Sequence, residues 1–247
     1  MNFTSCPGRG LSRWILAASL AIASPAFSAI VFSNPTLEGT PATQTAVPTG
    51  WEFVPYDAPF NLATTAALST GDVLAADGPA IGSGLFGAAQ SGDTFFAGIH
   101  GSTTPQVLQE GLQQTVSGFT VGEDYSFSFF QANVGHTNRQ DSEGSWRVYA
   151  DGVLIGTTDP TTRTLAWNDP DKATDLNWEE RTVTFTATSE SMTLSFLPYD
   201  TDGDGDVAGQ GGVYMGIDSF SEITPVPEPA AALLGAFGFL GLMRRRR

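Results

Sequence analysis

The stretch Tyr125-Ser126-Phe127-Ser128-Phe129 alternates aromatic rings with serines, and this alternation decides the fold class. Successive side chains of an extended strand point to opposite faces, so the three rings line one face and the serines line the other. The segment 192–196 repeats the pattern with Met, Leu and Phe at every second position. Such half-apolar strands are typical of an antiparallel sheet that packs one face against a core.

A β-hairpin is predicted at Asp151-Gly152, which lies between the apolar segments 148–150 and 153–155. Both turn residues tolerate the positive φ that a type I′ turn requires. From residue 94 onward further strand-like segments alternate with turn residues, whereas helical periodicity is nearly absent. The predicted strands are 94–99, 106–116, 125–134, 146–149, 153–157, 181–188, 192–197 and 213–223.

The segment 29–224 is long enough for one sizeable core, and its many short strands predict a single all-β sandwich. Residues 34–92 are rich in Ala, Thr, Gly and Pro. They predict only short strand pieces between turns, such as 51–54, and we expect little function there.

The N-terminus has the pattern of a secretory signal peptide. Arg9 and Arg13 precede an apolar stretch at 14–22 and a small-residue exit at Ala26-Phe27-Ser28. Cleavage after Ser28 removes residues 1–28, although Ala29 could itself be the last residue removed. The single cysteine, Cys6, leaves with this segment, so the exported chain is expected to contain no disulfide and no thiol nucleophile.

The C-terminus combines a rigid joint, a short apolar run and a basic end. The apolar run 230–243 is shorter than the roughly 20 residues that usually span a bilayer, so we expect a transient membrane helix. The arginines hold the end on the cytoplasmic side. The motif residues are Val226, Pro227, Glu228, Pro229, Arg244, Arg245, Arg246 and Arg247.

This tail, residues 225–247, resembles the PEP-CTERM sorting signal. The resemblance implies an exported protein of an exopolysaccharide-producing Gram-negative bacterium, whose tail is processed at Pro-Glu-Pro by a membrane-embedded exosortase. The expected location is an inner-membrane intermediate, followed by the cell surface or the extracellular space. The alternative is an ordinary C-terminal membrane anchor, which also places the bulk of the chain outside the cytoplasm.

The segment between the two ends is strongly acidic. The whole chain has a formal charge of −15, and residues 29–225 retain five basic residues against 25 acidic ones, a net charge of −20. Nucleic acid is therefore not expected as a partner. Such a surface favours solubility and can bind divalent cations where carboxylates cluster.

The order of motifs along residues 34–223 resembles the galactose-binding-like jelly roll of many carbohydrate-binding modules. The resemblance implies that the first and last strands lie together near a structural calcium, and that sugar binds to loop aromatics or to a sheet face. The motifs are Asn34-Pro35-Thr36-Leu37-Glu38, Gly50-Trp51, Leu112-Gln113-Gln114, the strand at 125–129, the 149–152 hairpin, Trp178 ahead of 183–187, and Gly216-Ile217-Asp218.

An acidic loop predicts a cation site. Its carboxylates stand at alternate positions of a glycine-bent segment: Asp200, Asp202, Asp204 and Asp206. The spacing matches the first half of an EF-hand calcium loop, but position twelve is Gly211 instead of the expected Glu. Asp218 is a candidate to complete the site. The jelly-roll resemblance also suggests a second site that joins Asn34 or Glu38 to Asp218. The alternative is a solvated acidic hairpin without a metal.

Aromatic residues outside the core pattern are candidates for sugar stacking: Trp51, Tyr56, Trp146, Trp167, Trp178, Tyr199 and Tyr214. Trp146 and Trp178 lie at or beside predicted strands, so we expect them to pack in the sandwich. Trp167 lies in a turn-rich stretch, and with Asn168 it forms the predicted ligand-binding pair.

Catalysis has little support in the sequence. His100 and His136 show no ligand spacing, and the motifs of serine hydrolases, zinc proteases and phosphate loops are absent. We therefore expect a non-catalytic surface or matrix protein that associates with exopolysaccharide. A structural protein without a specific ligand remains an alternative, and so does a glycan hydrolase, for which Glu179 and Glu180 would be an acidic pair.

Overall fold

The computed structural model describes residues 29–42, 46–55, 71–75, 87–103, 106–136, 142–166, 168–200 and 212–227. Within these ranges no helix is long and apolar enough to cross a membrane. Several predicted features lie outside the described residues: the signal peptide 1–28, the tail from Glu228 to Arg247 with its membrane segment 230–243, Tyr56, Trp167, Asp202, Asp204 and Asp206.

Strands dominate the described part of the chain, and one short 3₁₀ helix, Pro170–Ala173, lies among them. The strands are β1 (Glu52–Phe53), β2 (Asp72–Leu74), β3 (Phe95–Thr103), β4 (Gln106–Gln109), β5 (Leu112–Ser117), β6 (Asp124–Asn133), β7 (Glu143–Ala150), β8 (Val153–Thr157), β9 (Thr161–Thr162), β10 (Glu179–Thr186), β11 (Ser191–Tyr199), β12 (Val213–Asp218) and β13 (Thr224–Pro225).

These strands form two antiparallel sheets. Sheet 1 has the order β1-β5-β11-β7-β8, with β9 beside β7. Sheet 2 has the order β10-β6-β12-β3-β2, with β13 beside β6 and β4 beside β3. One apolar core draws side chains from both sheets. The predicted all-β class and the sandwich of two sheets are therefore confirmed.

The alternation in β6 and β11 builds this core. Phe127 and Phe129 of sheet 2 meet Phe196 of sheet 1 edge to face, with ring centroids 6.0 and 5.6 Å apart. Phe32 and Phe220 pack against the same rings. Edge-to-face contacts at these distances are favourable beyond the area that they bury.

Trp146 joins the two sheets, as its predicted core position suggested. The residue lies on β7 of sheet 1 and is fully buried. Its indole Nε1 donates a hydrogen bond of 3.1 Å to the carbonyl oxygen of Gly216, on β12 of sheet 2. The ring therefore fills the core while its polar atom remains satisfied.

The hairpin at Asp151-Gly152 is also confirmed. It connects β7 to β8, and its two residues have φ values of 47° and 79°. The side chain of Asp151 accepts a hydrogen bond from the backbone N of Thr193 at 2.8 Å, which ties the turn to β11.

Two predicted strands are wrong in extent. The strand 106–116 divides into β4 and β5, because the chain crosses from sheet 2 to sheet 1 at Glu110-Gly111. The strand 213–223 ends at Asp218, because Ser219 adopts a φ of 53° and breaks the extended backbone. The chain returns to sheet 2 only at β13.

A second apolar cluster covers the outer face of sheet 2. It joins outward-facing residues of β2, β3, β6 and β12 to Leu176, with Trp178 packed against it. The Trp178 indole Nε1 donates to the carbonyl of Ala88 at 2.9 Å. This covered region is part of the fold.

Candidate functional site

A turn that begins at Asn34 positions the first candidate site. Asn34 has a φ of 51°, a conformation that asparagine adopts more readily than most residues. Its side-chain Oδ1 accepts a hydrogen bond from the backbone N of Glu38 at 3.0 Å, and its Nδ2 donates to the Glu38 carbonyl at 2.8 Å. The amide of Asn34 therefore holds the turn and fixes the backbone of Glu38.

The carboxylate of Glu38 reaches the loop that precedes β3. Its Oε1 accepts a hydrogen bond from the backbone N of Asp93 at 3.1 Å, and its Oε2 accepts from the Thr94 hydroxyl at 3.4 Å. Gly92 has a φ of 71°, and a Cβ at this position would collide with the Glu38 carboxylate. The approach of this side chain therefore requires glycine at position 92.

Asp218 ends β12 and is fully buried against the same loop. Its Oδ2 accepts backbone N–H bonds from Gln90 and Ser91 at 2.9 and 3.1 Å, and its Oδ1 accepts from Ser219 at 2.6 Å. The pKa of Asp218 is raised to about 7, chiefly because burial disfavours the charged form, and the charge of Glu38 adds to the rise. The three N–H groups oppose this rise.

Glu38 and Asp218 thus form a carboxylate pair around one loop. Among the described residues, neither carboxylate has an ion pair with Lys or Arg. Ca²⁺ takes six to eight oxygen ligands, so two carboxylates fit as part of its shell and would keep Asp218 ionised. The described ranges contain no group of three or more His, Cys, Asp or Glu side chains that could hold a metal. Backbone carbonyls or waters would have to supply the other ligands.

The predicted aspartate loop begins at Asp200, which is buried at the end of β11. Its backbone N donates to Nδ1 of His100 at 2.8 Å. On the neighbouring strands His100 pairs with Val213, whereas Asp218 lies at the opposite end of β12. The structure therefore brings Asp218 to Glu38 and not to Asp200.

A stack of three side chains forms the second candidate site, with Arg147 and Tyr199 from sheet 1 and His100 from β3 of sheet 2. The guanidinium Cζ of Arg147 lies 3.6 Å from the ring centroid of Tyr199. The imidazole of His100 stacks on the same tyrosine, with centroids 5.7 Å apart and planes inclined by 24°. All three residues are partly exposed. We call these three residues the outer stack.

Strand register explains how Arg147 and Tyr199 of the outer stack come together. Trp146 and Phe196 point into the core, so Arg147 on β7 and Tyr199 on β11 point outward. Arg147 pairs with Leu197, two residues before Tyr199. Diagonal neighbours of this kind lie about 7–8 Å apart, within reach of long side chains.

Two polar atoms on β7 beside the outer stack have no hydrogen-bond partner: Nε of Arg147 and Oγ of Ser145, both buried. Ser145 pairs with Tyr199 and lies on the same outward face as Arg147. Arg147 also forms no ion pair with any described residue. An unmade hydrogen bond of a buried group typically costs about 1–3 kcal/mol, so this arrangement does not serve stability.

Two other aromatic candidates have structural roles in the described part of the chain. Trp51 and Tyr214 are buried, which corrects the expectation that they lie outside the core. Trp51 stacks on Phe32 with centroids 5.5 Å apart, and the Tyr214 hydroxyl donates to Asp72 Oδ2 at 2.7 Å. Asn168 is exposed in a turn.

The outer stack as a unit was missed in the sequence, although Tyr199 was among the candidate aromatics. Arg147 and Tyr199 are far apart along the chain, and their contact depends on the pairing of β7 with β11. One signal in the sequence indicates the contact. If Trp146 and Phe196 point into the core, Arg147 and Tyr199 point outward from the sheet.

Comparisons with known proteins give only remote likenesses. No protein-family description matches the sequence, and no curated protein matches it. Among solved structures, a family 35 carbohydrate-binding module from an environmental isolate is 16% identical, with a TM-score of 0.36 over 64% of this chain and 98% of the module. The K1 cleaved adhesin domain of Lys-gingipain from Porphyromonas gingivalis W83 is 14% identical, with a TM-score of 0.37 over 76% of this chain and 100% of that domain.

A third likeness is to a sugar-binding protein, the C-terminal domain of EclA. It is 20% identical with a TM-score of 0.29, over 45% of this chain. The chain spans 64% of that domain's length. Likenesses at these scores carry no weight for the function of this chain, which has to be inferred from its own residues.

Proposed function

We propose that this chain is an exported, non-catalytic surface or matrix protein, sorted by its PEP-CTERM-like tail, whose calcium-stabilised jelly roll associates with exopolysaccharide. The observation that carries the glycan association is the outer stack of His100, Tyr199 and Arg147. It brings two partly exposed rings and a planar hydrogen-bond donor into contact. Rings and a few fixed polar groups are what sugar recognition requires.

The positions of the chain ends support the sorting part of the proposal. The backbone N of Ile223 donates to the carbonyl of Ile30 at 2.8 Å, and the N of Val226 donates to Asp124 at 2.8 Å. Ile30 and Val226, which adjoin the predicted cleavage site and the Pro-Glu-Pro motif in the sequence, are therefore both hydrogen-bonded to the sandwich. We expect an exosortase to process the tail, which follows Val226 in the sequence, without opening the core.

The carboxylate pair of Glu38 and Asp218 supports a structural role for calcium. Both side chains hold the loop between residues 90 and 94 through hydrogen bonds. A cation between them would relieve the repulsion that contributes to the raised pKa of Asp218. Calcium would then tie the N-terminal turn to the last long strand.

The rival function, glycan hydrolysis, gains no support from Glu179 and Glu180. The carboxylate of Glu179 is ion-paired with Arg181, whereas that of Glu180 accepts a hydrogen bond of 2.7 Å from the Ser128 hydroxyl. As neighbours on β10, the two side chains point to opposite faces of sheet 2. They therefore do not flank a common space where a glycosidic bond could lie.

The decisive experiment measures binding of the purified protein to the exopolysaccharide of its producing cell, first with calcium and then with EDTA. Saturable binding that the Tyr199→Ala variant loses would support the proposal. The Tyr149→Phe variant, altered on the same face of β7, serves as a control. The absence of saturable binding in both conditions would overturn glycan association and leave a structural protein.

A further inference from the structure

We propose that the outer stack recognises the carboxylate of an acidic sugar, so that the glycan bound by this protein contains uronic acid. This inference deepens the proposed glycan association and rests on it. The recognising group is the guanidinium of Arg147, supported by the ring of Tyr199.

The charge around Arg147 gives the first reason. Residues 29–225 contain five basic and 25 acidic residues, so an arginine in this segment has many potential carboxylate partners. Arg181 forms an ion pair with Glu179, but Arg147 forms no ion pair within the described ranges. A guanidinium that has no carboxylate partner among the described residues of so acidic a chain is available for a carboxylate from outside.

The geometry of the stack gives the second reason. The guanidinium Cζ of Arg147 lies 3.6 Å from the ring centroid of Tyr199, and this cation–π contact restricts the side chain. A fixed planar fork of donors matches the two oxygens of a carboxylate. Stacking thus reduces the side-chain entropy that would be lost when a ligand binds.

The unmade hydrogen bonds of Arg147 give the third reason. Its Nε is buried and has no partner among the described residues, so the surrounding structure does not use this nitrogen as a donor. Nε is the only guanidinium nitrogen of Arg147 among the buried unpartnered atoms, and the side chain is partly exposed. The terminal donors of Arg147 therefore remain for a ligand rich in acceptors, as a uronate is.

The net charge of the chain also sets the specificity. At −20 over residues 29–225, the surface repels an anionic polymer unless a local cation engages its carboxylates. Acidic glycan would therefore bind only at a point where a carboxylate meets Arg147, and a neutral glycan would gain nothing from that arginine.

The test compares short oligogalacturonate with the same oligosaccharide after its carboxylates have been reduced to primary alcohols. Calorimetric titration of the purified protein, at fixed calcium and ionic strength, should show clear preference for the acidic form. Arg147→Gln should weaken binding of the acidic form at least about tenfold and leave the reduced form unaffected. Arg147→Lys should restore the charge but only part of the affinity, because it lacks the planar fork.

The matched control is Arg181→Gln, which removes the same charge from sheet 2 and should leave the acidic preference intact. Thermal unfolding of each variant checks that the sandwich persists. Equal binding of both oligosaccharides, or an acidic preference that survives Arg147→Gln, would overturn this inference while glycan association stands. Failure to bind either oligosaccharide or the cell's own exopolysaccharide would overturn both proposals.

Discussion

Ile30 and Ile223 form an antiparallel bridge that brings the two ends of the sandwich side by side. Both side chains are buried in the core, and β13 continues the contact by pairing Thr224 with Ser126. The last described hydrogen bond of this region is made by Val226. The first and last described segments of the sandwich therefore lie next to each other.

The contribution of this contact can be tested by truncation. A chain of residues 29–227 should unfold at the same temperature as a chain of residues 29–235, because both contain β13 and the hydrogen bond of Val226. A chain that ends at residue 221 loses Ile223 and β13, and should be less stable by at least about 2 kcal/mol, the value of one buried isoleucine side chain. Chemical denaturation of the three chains measures the difference. Equal stability of the shortest chain would show that the bridge contributes nothing.

Trp146 should be a sensitive position for stability because it connects the sheets. Trp146→Phe removes the hydrogen bond to Gly216 and leaves a cavity, so we expect a loss of about 1–3 kcal/mol in the free energy of unfolding. The control is Val153→Ala on the neighbouring strand, because Val153 is 67% exposed and should change stability by less than about 0.5 kcal/mol. Urea denaturation checks both values, and similar losses in the two variants would contradict the bridging role.

Local patterns in the sequence predicted most of the strands but not their order. The alternation at 125–129 fixes which face of β6 is buried, and Asp151-Gly152 supplies the positive φ of its hairpin. The order of strands within each sheet depends on pairings between distant segments, such as β5 with β11. No local pattern encodes such a pairing, because it is decided by the packing of the whole core.

The candidate sites likewise divide into those that a local pattern predicts and those that form only in the folded chain. Aspartates at alternate positions form a local pattern, and this pattern predicts a cation site at the loop 200–206. The pair of Glu38 and Asp218 arises only when the N-terminal turn meets the end of β12. Tyr214 is one of the predicted sugar-stacking aromatics, yet its ring packs in the second apolar cluster. Burial and the nearby charge of Asp72 raise the pKa of Tyr214 well above the usual value.

Calcium should stabilise the protein through Asp218. For the wild-type chain we expect the unfolding temperature at pH 7.5 to rise on addition of millimolar Ca²⁺ and to fall again with EDTA, because the ion binds the folded state only. Asp218→Asn should abolish most of this response by removing one charged ligand. Asp171→Asn, at an exposed position in the 3₁₀ helix, should keep the response. A calcium response that survives in Asp218→Asn would place the ion elsewhere, for example at the Asp200 loop.

Without calcium, the raised pKa of Asp218 makes stability depend on pH in a definite direction. The pKa of the carboxyl has its ordinary value of 3.8 in the unfolded chain, whereas burial raises it to about 7 in the folded one. Between these values the folded state binds more protons than the unfolded state, so stability falls as the pH rises and becomes level above about 7. The contribution of this group is of the order of 4 kcal/mol across the window, at about 1.4 kcal/mol per pKa unit. Other carboxylates titrate in the same range, so the relevant quantity is the difference between wild type and Asp218→Asn in EDTA, measured by urea denaturation at several pH values. Because the variant stays neutral, its stability relative to wild type should increase from pH 4 to pH 7. A difference that does not change with pH would show that Asp218 ionises normally in the folded protein, and that the carboxylate pair carries no strain for a cation to relieve.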